Sequence, residues 1–281
     1  MNASLKQLLV HLDPSPKVAQ RLKAARQIAQ AHGAAVTALY AVTPNFVELP
    51  FAPEIGPGVA ANLREIDDEL RAGVRATYEQ SQKEAGVPVE WAEVRDDPVT
   101  ALFAQQAFYA DLLVLGQHDP SSTSSSGVPA DFAESVLVAS GKPALILPYA
   151  GMLPPVIGET AVIAWKPTRE AALAISAAMP LLQRARRVHV LVWGEEEGAG
   201  EGGHLLNLDG YLKLHGVDAV WHRHGAEPQA LGELLLSRVC DLEADLLVMG
   251  CYGHSRAREW VLGGTSRTVL RSMTVPVLMA H

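Results

Sequence analysis

The sequence predicts an α/β protein of two tandem domains, each an open, mostly parallel sheet with helices on both faces. Three observations carry this. Short apolar strands alternate with amphipathic helical stretches along the whole chain, the pattern of a covered parallel sheet. The segment Ala110-Asp-Leu-Leu-Val-Leu-Gly116 returns as Ala244-Asp-Leu-Leu-Val-Met-Gly250, with only Leu115 and Met249 differing. Each copy then leads through a loop and a helix into a Pro-containing strand, Lys142–Leu147 and Val275–Met279. That period is too long for a solenoid and suits two small domains. A chain of 281 residues, 48% hydrophobic, gives each half enough apolar surface for its own core.

In the first half the pattern predicts strands near Leu5–Leu12, Ala35–Val42, Val89–Val94, Leu112–Gly116 and Ala144–Leu147. The helices between them are Lys17–His32, Leu63–Glu84, Val99–Tyr109 and Asp131–Ala139. In the second half the strands are Thr160–Trp165, Val188–Val192, Ala219–His222, Leu246–Gly250 and Val277–Met279. Its helices are Arg169–Gln183, Leu205–Leu214, Pro228–Asp241 and Thr265–Arg271. Residues 1–150 and 156–281 form the two domains, joined at Tyr149-Ala-Gly-Met-Leu-Pro-Pro155, where consecutive prolines stiffen the linker. Two Gly-rich insertions, Pro44–Gly58 and the acidic Gly194–Gly203, read as surface loops.

Composition narrows the function. The formal net charge is −8 and the longest basic run is Arg184-Ala-Arg186-Arg187, which excludes nucleic acid as the main partner. No apolar run approaches the roughly 18 residues of a membrane span. The start shows no signal-peptide layout, and the only cysteines, Cys240 and Cys251, fit a reducing cytoplasm.

The chemistry concentrates after the repeated strand of the second half. Gly250-x2-Gly253-x9-Gly263 is followed by Gly264-Thr265-Ser266, where a helix begins. Backbone N–H groups of such a turn, with the free N–H groups of the helix start, suit phosphate oxygens. Glycine serves where φ must turn positive or where a Cβ would block a ligand. His254 borders this loop, and Cys251 lies in it, either as a thiol activated by the helix dipole or as a packed inert one. No Walker lysine motif, Ser-His-Asp or Cys-His arrangement is present, so no catalytic apparatus is expected beyond slow hydrolysis of a bound nucleotide. His222 and His224 share one face of a strand at a spacing that can bind metal. Their sequence neighbours His204 and His215 are distant, no third ligand is placed, and a solvated edge strand is the preferred reading.

With these motifs in place, the whole chain resembles a tandem universal stress protein. The resemblance rests on two copies of Ala-Asp-Leu-Leu-Val-x-Gly, on Gly250-x2-Gly253-x9-Gly263 in a strand-loop-helix context, and on the Val275-Pro-Val277 strand. It implies two flavodoxin-like, Rossmann-like domains with strand order 3-2-1-4-5 and a crevice at the carboxyl ends of strands one and four. It further implies a cytoplasmic stress-response protein that binds ATP or an AMP-like adenine nucleotide, with or without Mg, or another small phosphorylated ligand. Pairing of the last strands, Ala144–Leu147 with Val277–Met279, would make an intramolecular pseudo-dimer, and a homodimer of whole chains is open to it.

The resemblance also implies an aspartate at the end of strand one that holds ribose hydroxyls, and the halves diverge there. The first keeps Asp13 but has lost the glycine loop: Asp119 and Ala130 stand where the second and third glycines belong, around the serine run Ser121–Ser126. Asp13 therefore reads there as a helix N-cap. The second keeps the loop but carries Lys166 in place of the aspartate. The site is thus expected in the second half: Gly250, Gly253, His254, Gly263, Gly264, Thr265 and Ser266 around phosphate, Ala164, Trp165 and Lys166 beside the adenosine, Val192 at the base. The alternative is a ligand-free interaction scaffold with vestigial glycines.

Overall fold

A computed structural model describes residues 4–45, 57–94, 97–121, 127–194, 206–226, 228–251 and 264–281. The chain divides into two compact units, Ser4–Tyr149 and Ala150–His281. The first unit holds strands β1 (Gln7–Leu12), β2 (Ala35–Ala41), β3 (Val89–Val94), β4 (Leu112–Gly116) and β5 (Ala144–Leu147). Its helices are α1 (Val18–His32), α2 (Pro57–Gln82), α3 (Val99–Ala107) and α4 (Phe132–Ser140). All its strand pairs are parallel, in the order β3-β2-β1-β4-β5. The second unit repeats the plan with β6 (Thr160–Trp165), β7 (Arg187–Trp193), β8 (Ala219–His224), β9 (Leu246–Gly250) and β10 (Val277–Ala280). Its helices are α5 (Arg169–Leu182), α6 (Leu208–Leu214), α7 (Leu231–Asp241) and α8 (Gly264–Ser272), and its order is β8-β7-β6-β9-β10. Both orders are the doubly wound 3-2-1-4-5 arrangement expected from the resemblance.

The central strands are buried on both faces, as their unbroken apolar runs require. Leu8, Val10, Leu112, Leu113, Val114, Val162, Ile163, Leu246, Leu247 and Val248 are inaccessible. The aspartate of the repeated motif has a structural task. The Asp111 carboxylate accepts from the amides of Lys6 (2.7 Å) and Gln7 (2.9 Å), and its own amide donates to Gln7 O. Asp245 does the same with the amides of Gly158 (2.6 Å) and Thr160 (3.1 Å). Each aspartate thus fixes the register of the fourth strand against the first and satisfies amides that precede the ladder.

Every expected strand and helix is found, five of the strands with the expected ends and the other elements with shifted ones. Helix α2 begins at Pro57, six residues before the expected Leu63, because Pro-Gly, read as loop, supplies a proline at the helix start, where its missing N–H costs nothing. Helix α6 starts at Leu208, with Asn207 as a side-chain cap accepting from the Gly210 amide at 2.8 Å. Helix α7 begins at Leu231 rather than Pro228. Strand β8 runs two residues longer than expected, to His224.

A candidate crevice open in the second half and filled in the first

In the second unit, β6 and β7 end side by side, with Trp165 opposite Val192 and Ala164 opposite Met249 of β9. Strand alternation puts Ala164 on one face of the sheet and Trp165 and Val192 on the other. Ala164 and Trp165 are half-buried, Lys166 is exposed, and Val192 is buried. Of the expected phosphate residues, Gly250 ends β9, and Gly264, Thr265 and Ser266 form the first turn of α8, exposed, half-buried and buried respectively. Gly253, His254 and Gly263 lie outside the described residues, as do His204, residues 122–126 and most of both insertions.

Two glycines have different reasons for being there. A Cβ on Gly250 would sit 2.5 Å from the Ala171 amide nitrogen and 2.8 Å from the Glu170 carbonyl carbon, so the first turn of α5 rests directly on this backbone. The atom that excludes a side chain is therefore protein backbone. Among the described residues, a Cβ on Gly264 would meet nothing within 4 Å. Thr168 caps α5 by accepting from the Ala171 amide at 3.3 Å. Cys251 is fully buried, with its amide bonded to Ala280 O at 2.9 Å, which favours the inert reading of that thiol.

The first unit shows what the same place looks like when it is filled. Counting from the shared strand ends and from Pro143 and Pro276, Ala164 corresponds to His11, Lys166 to Asp13, Ala174 to Arg21 and Thr265 to Phe132. His11 stacks on Phe132 (ring centroids 4.2 Å, 29°) and meets Phe103 edge-on at 5.3 Å. Its Nε2 donates to Ala41 O at 2.9 Å. Arg21, 3% exposed, lies under Gly116 and pairs with the Asp13 carboxylate and the Ser15 hydroxyl (3.1 Å).

Asp13 is therefore not the helix cap that the sequence suggests. Helix α1 is preceded by Lys17, with no side-chain cap, and Asp13 turns inward to Arg21 while accepting from the Ser15 amide at 3.1 Å. A buried guanidinium required a counter-ion, and Asp13 supplies it. Burial by itself raises the Asp13 pKa, but Arg21, His11 and the hydrogen bonds from Arg21 and Ser15 outweigh it and hold it at about 2. Burial, helped by Arg21 and opposed by Asp13 and the Ala41 bond, holds His11 at about 4, so this imidazole is neutral. Past the serine run, the chain meets the end of β2. Gly127, at φ 60°, accepts from the Thr43 amide at 2.7 Å, and a Cβ there would strike Thr43 O. The reading of this loop as one without glycine constraints missed Gly127, the single glycine that ends the serine run.

The histidines of β8 also have partners that their spacing did not predict. His222 faces His189 of β7, and His224 stacks on Trp193 at 4.8 Å and 21°. The strand is an edge strand, as expected, though half-buried along most of its length.

The family model described as "Universal stress protein family" matches residues 4–148 and again 169–281. The structure of a universal stress protein from Archaeoglobus fulgidus DSM 4304 covers 97% of this chain and 94% of its own at a TM-score of 0.65, with 17% identity, a likeness of fold. A universal stress protein solved in complex with cAMP covers 53% of this chain and 100% of its own, with a TM-score of 0.32 and 22% identity. Universal stress protein Slr1230 of Synechocystis sp. is 53% identical over 38 residues, a stretch spanning 14% of this chain and 13% of that relative.

Proposed function

The chain belongs to the universal stress protein family, and from that premise we propose that its second half binds a phosphorylated adenine nucleotide while its first half does not. The observation that carries this is the exchange of residue size at matching positions. Where the first unit buries His11, Arg21 and Phe132, the second has Ala164, Ala174 and Thr265, and among the described residues nothing stands within 4 Å of a Cβ built on Gly264. The start of α8 is a helix N-terminus, where the helix dipole favours an anion. Lys166 adds a cation at the carboxyl end of β6, on the side where such folds bind ligands. A cytoplasmic stress-response role, with Mg accompanying a triphosphate, belongs to the same reading. Among the described residues, no helix is long and apolar enough to cross a membrane.

Calorimetric titration of the whole chain with Mg-ATP and with AMP tests it. The expected result is one site per chain, abolished by Thr265→Phe, which installs the first half's own plug. Two sites per chain would refute the assignment of the first half as closed. An absence of heat at millimolar nucleotide would leave the ligand-free scaffold as the better reading.

A further inference from the structure

The two sheets differ at a second place, unconnected with the crevice. His189 on β7 and His222 on β8 lie diagonally across one strand pair, since His189 is opposite Val220 and Leu191 is opposite His222. Their rings are 5.2 Å apart, and His189 Nδ1 and His222 Nε2 face each other at 3.0 Å. The matching residues of the first sheet are Thr37 and Ala92, and Thr37 is satisfied by Gln7 Nε2 at 2.9 Å. The fold therefore does not need an imidazole at either position.

We propose that His189 and His222 form a binding site for a nitrogen-preferring divalent transition metal of the Cu²⁺, Ni²⁺ and Zn²⁺ class. The argument is geometric. Two imidazole nitrogens on one tetrahedral ion, each about 2.0–2.1 Å from it, lie roughly 3.3 Å apart. The observed 3.0 Å needs the rings to part by a few tenths of an ångström and to tilt until both lone pairs converge on one ion. The β7–β8 ladder fixes both Cα positions, so the two ligands are held ready without ordering a loop.

Two neutral imidazoles in contact share one N–H between the facing nitrogens. On metal binding that proton moves to the outer nitrogen of its own ring, and both facing lone pairs go to the ion with no net proton loss. Among the described residues, no group of three or more His, Cys, Asp and Glu gathers around a point. Both ligands are imidazole nitrogens, so oxygen-preferring Mg²⁺ and Ca²⁺ are disfavoured, and Cu²⁺ should bind more tightly than Zn²⁺.

Electron paramagnetic resonance of the full chain titrated with Cu²⁺, without nucleotide, decides the matter. The wild type should take up one equivalent with hyperfine structure from two imidazole nitrogens. The double variant His189→Thr/His222→Ala, which copies residues the first sheet already packs, should lose that signature and at least about tenfold in affinity. An unchanged signature in the folded double variant, or none in the wild type, would overturn the proposal. Should the double variant not fold, imidazole NMR of the wild type with Zn²⁺ is the second measurement. Joint shifts of His189 and His222 before any other histidine support the site, and shifts confined to other histidines refute it.

Discussion

The two crevices of this chain share a frame and differ in what fills them. In the first, a cation, an anion and two aromatic rings from β1, α1 and α4 meet at the carboxyl end of the sheet: Arg21, Asp13, His11 and Phe132. In the second, alanines and a threonine stand at three of those positions, and a lysine replaces the aspartate. Two copies of one domain thus differ at the same place in two ways. The first half fills this place with side chains of its own. The second has small side chains at the matching positions and carries the opposite charge at one of them.

The largest test of this contrast is Arg21→Met. Removing one member of a buried ion pair leaves the other unpaired, a cost of about 3–5 kcal/mol. Denaturant unfolding should show that loss in the first unit, and a cost under about 1 kcal/mol would mean that the pair is dispensable. Next comes pH. His11 is held at about 4 against 6.5 when free, so the unfolded chain binds a proton that the folded chain refuses. Stability is whole above pH 6.5 and falls, by about 3 kcal/mol, as pH drops to 4. Asp13 has a folded pKa of about 2 against 3.8, so its contribution is intact above 3.8 and disappears as pH falls through 2. Urea melts at a series of pH values should show both windows, and His11→Ala should flatten the upper one.

Lys166→Asp sharpens the second half. Restoring a carboxylate that accepts from ribose hydroxyls should tighten nucleotide binding by about 1.5–3 kcal/mol, roughly 10- to 100-fold. Unaltered affinity by calorimetry would place the ligand elsewhere. The smallest expected effect compares two glycines. Gly250→Ala pushes a methyl into the backbone of α5 and should cost about 1–3 kcal/mol. Gly116→Ala meets only the end of the Arg21 side chain and should cost less. Thermal melts giving the reverse order would show that the Arg21 guanidinium is held more rigidly than the α5 backbone.

Much of this was legible in the sequence because it is local. Strand and helix periodicity, the repeated Ala-Asp-Leu-Leu-Val-x-Gly and the glycine spacing each report on a few consecutive residues and the backbone they require. They determined the α/β class, the two-fold repeat, every strand and helix, and the half in which a ligand site is expected. The structure decided what lies between elements. Asp13 looked like a cap because Asp-Pro-Ser precedes a helix, yet a buried arginine in the first turn of that helix claims its carboxylate. Gly250 was read as needed for a positive φ or for ligand clearance, and the structure adds that the helix start at Glu170 and Ala171 rests on it. His222 was read with His224, its neighbour in sequence, and found His189, 33 residues away across a strand pair. Such contacts depend on the register and layer in which distant segments meet. Chain pattern specifies a residue's face and period but not which side chain arrives opposite, and that is settled only when the sheet and its helices pack.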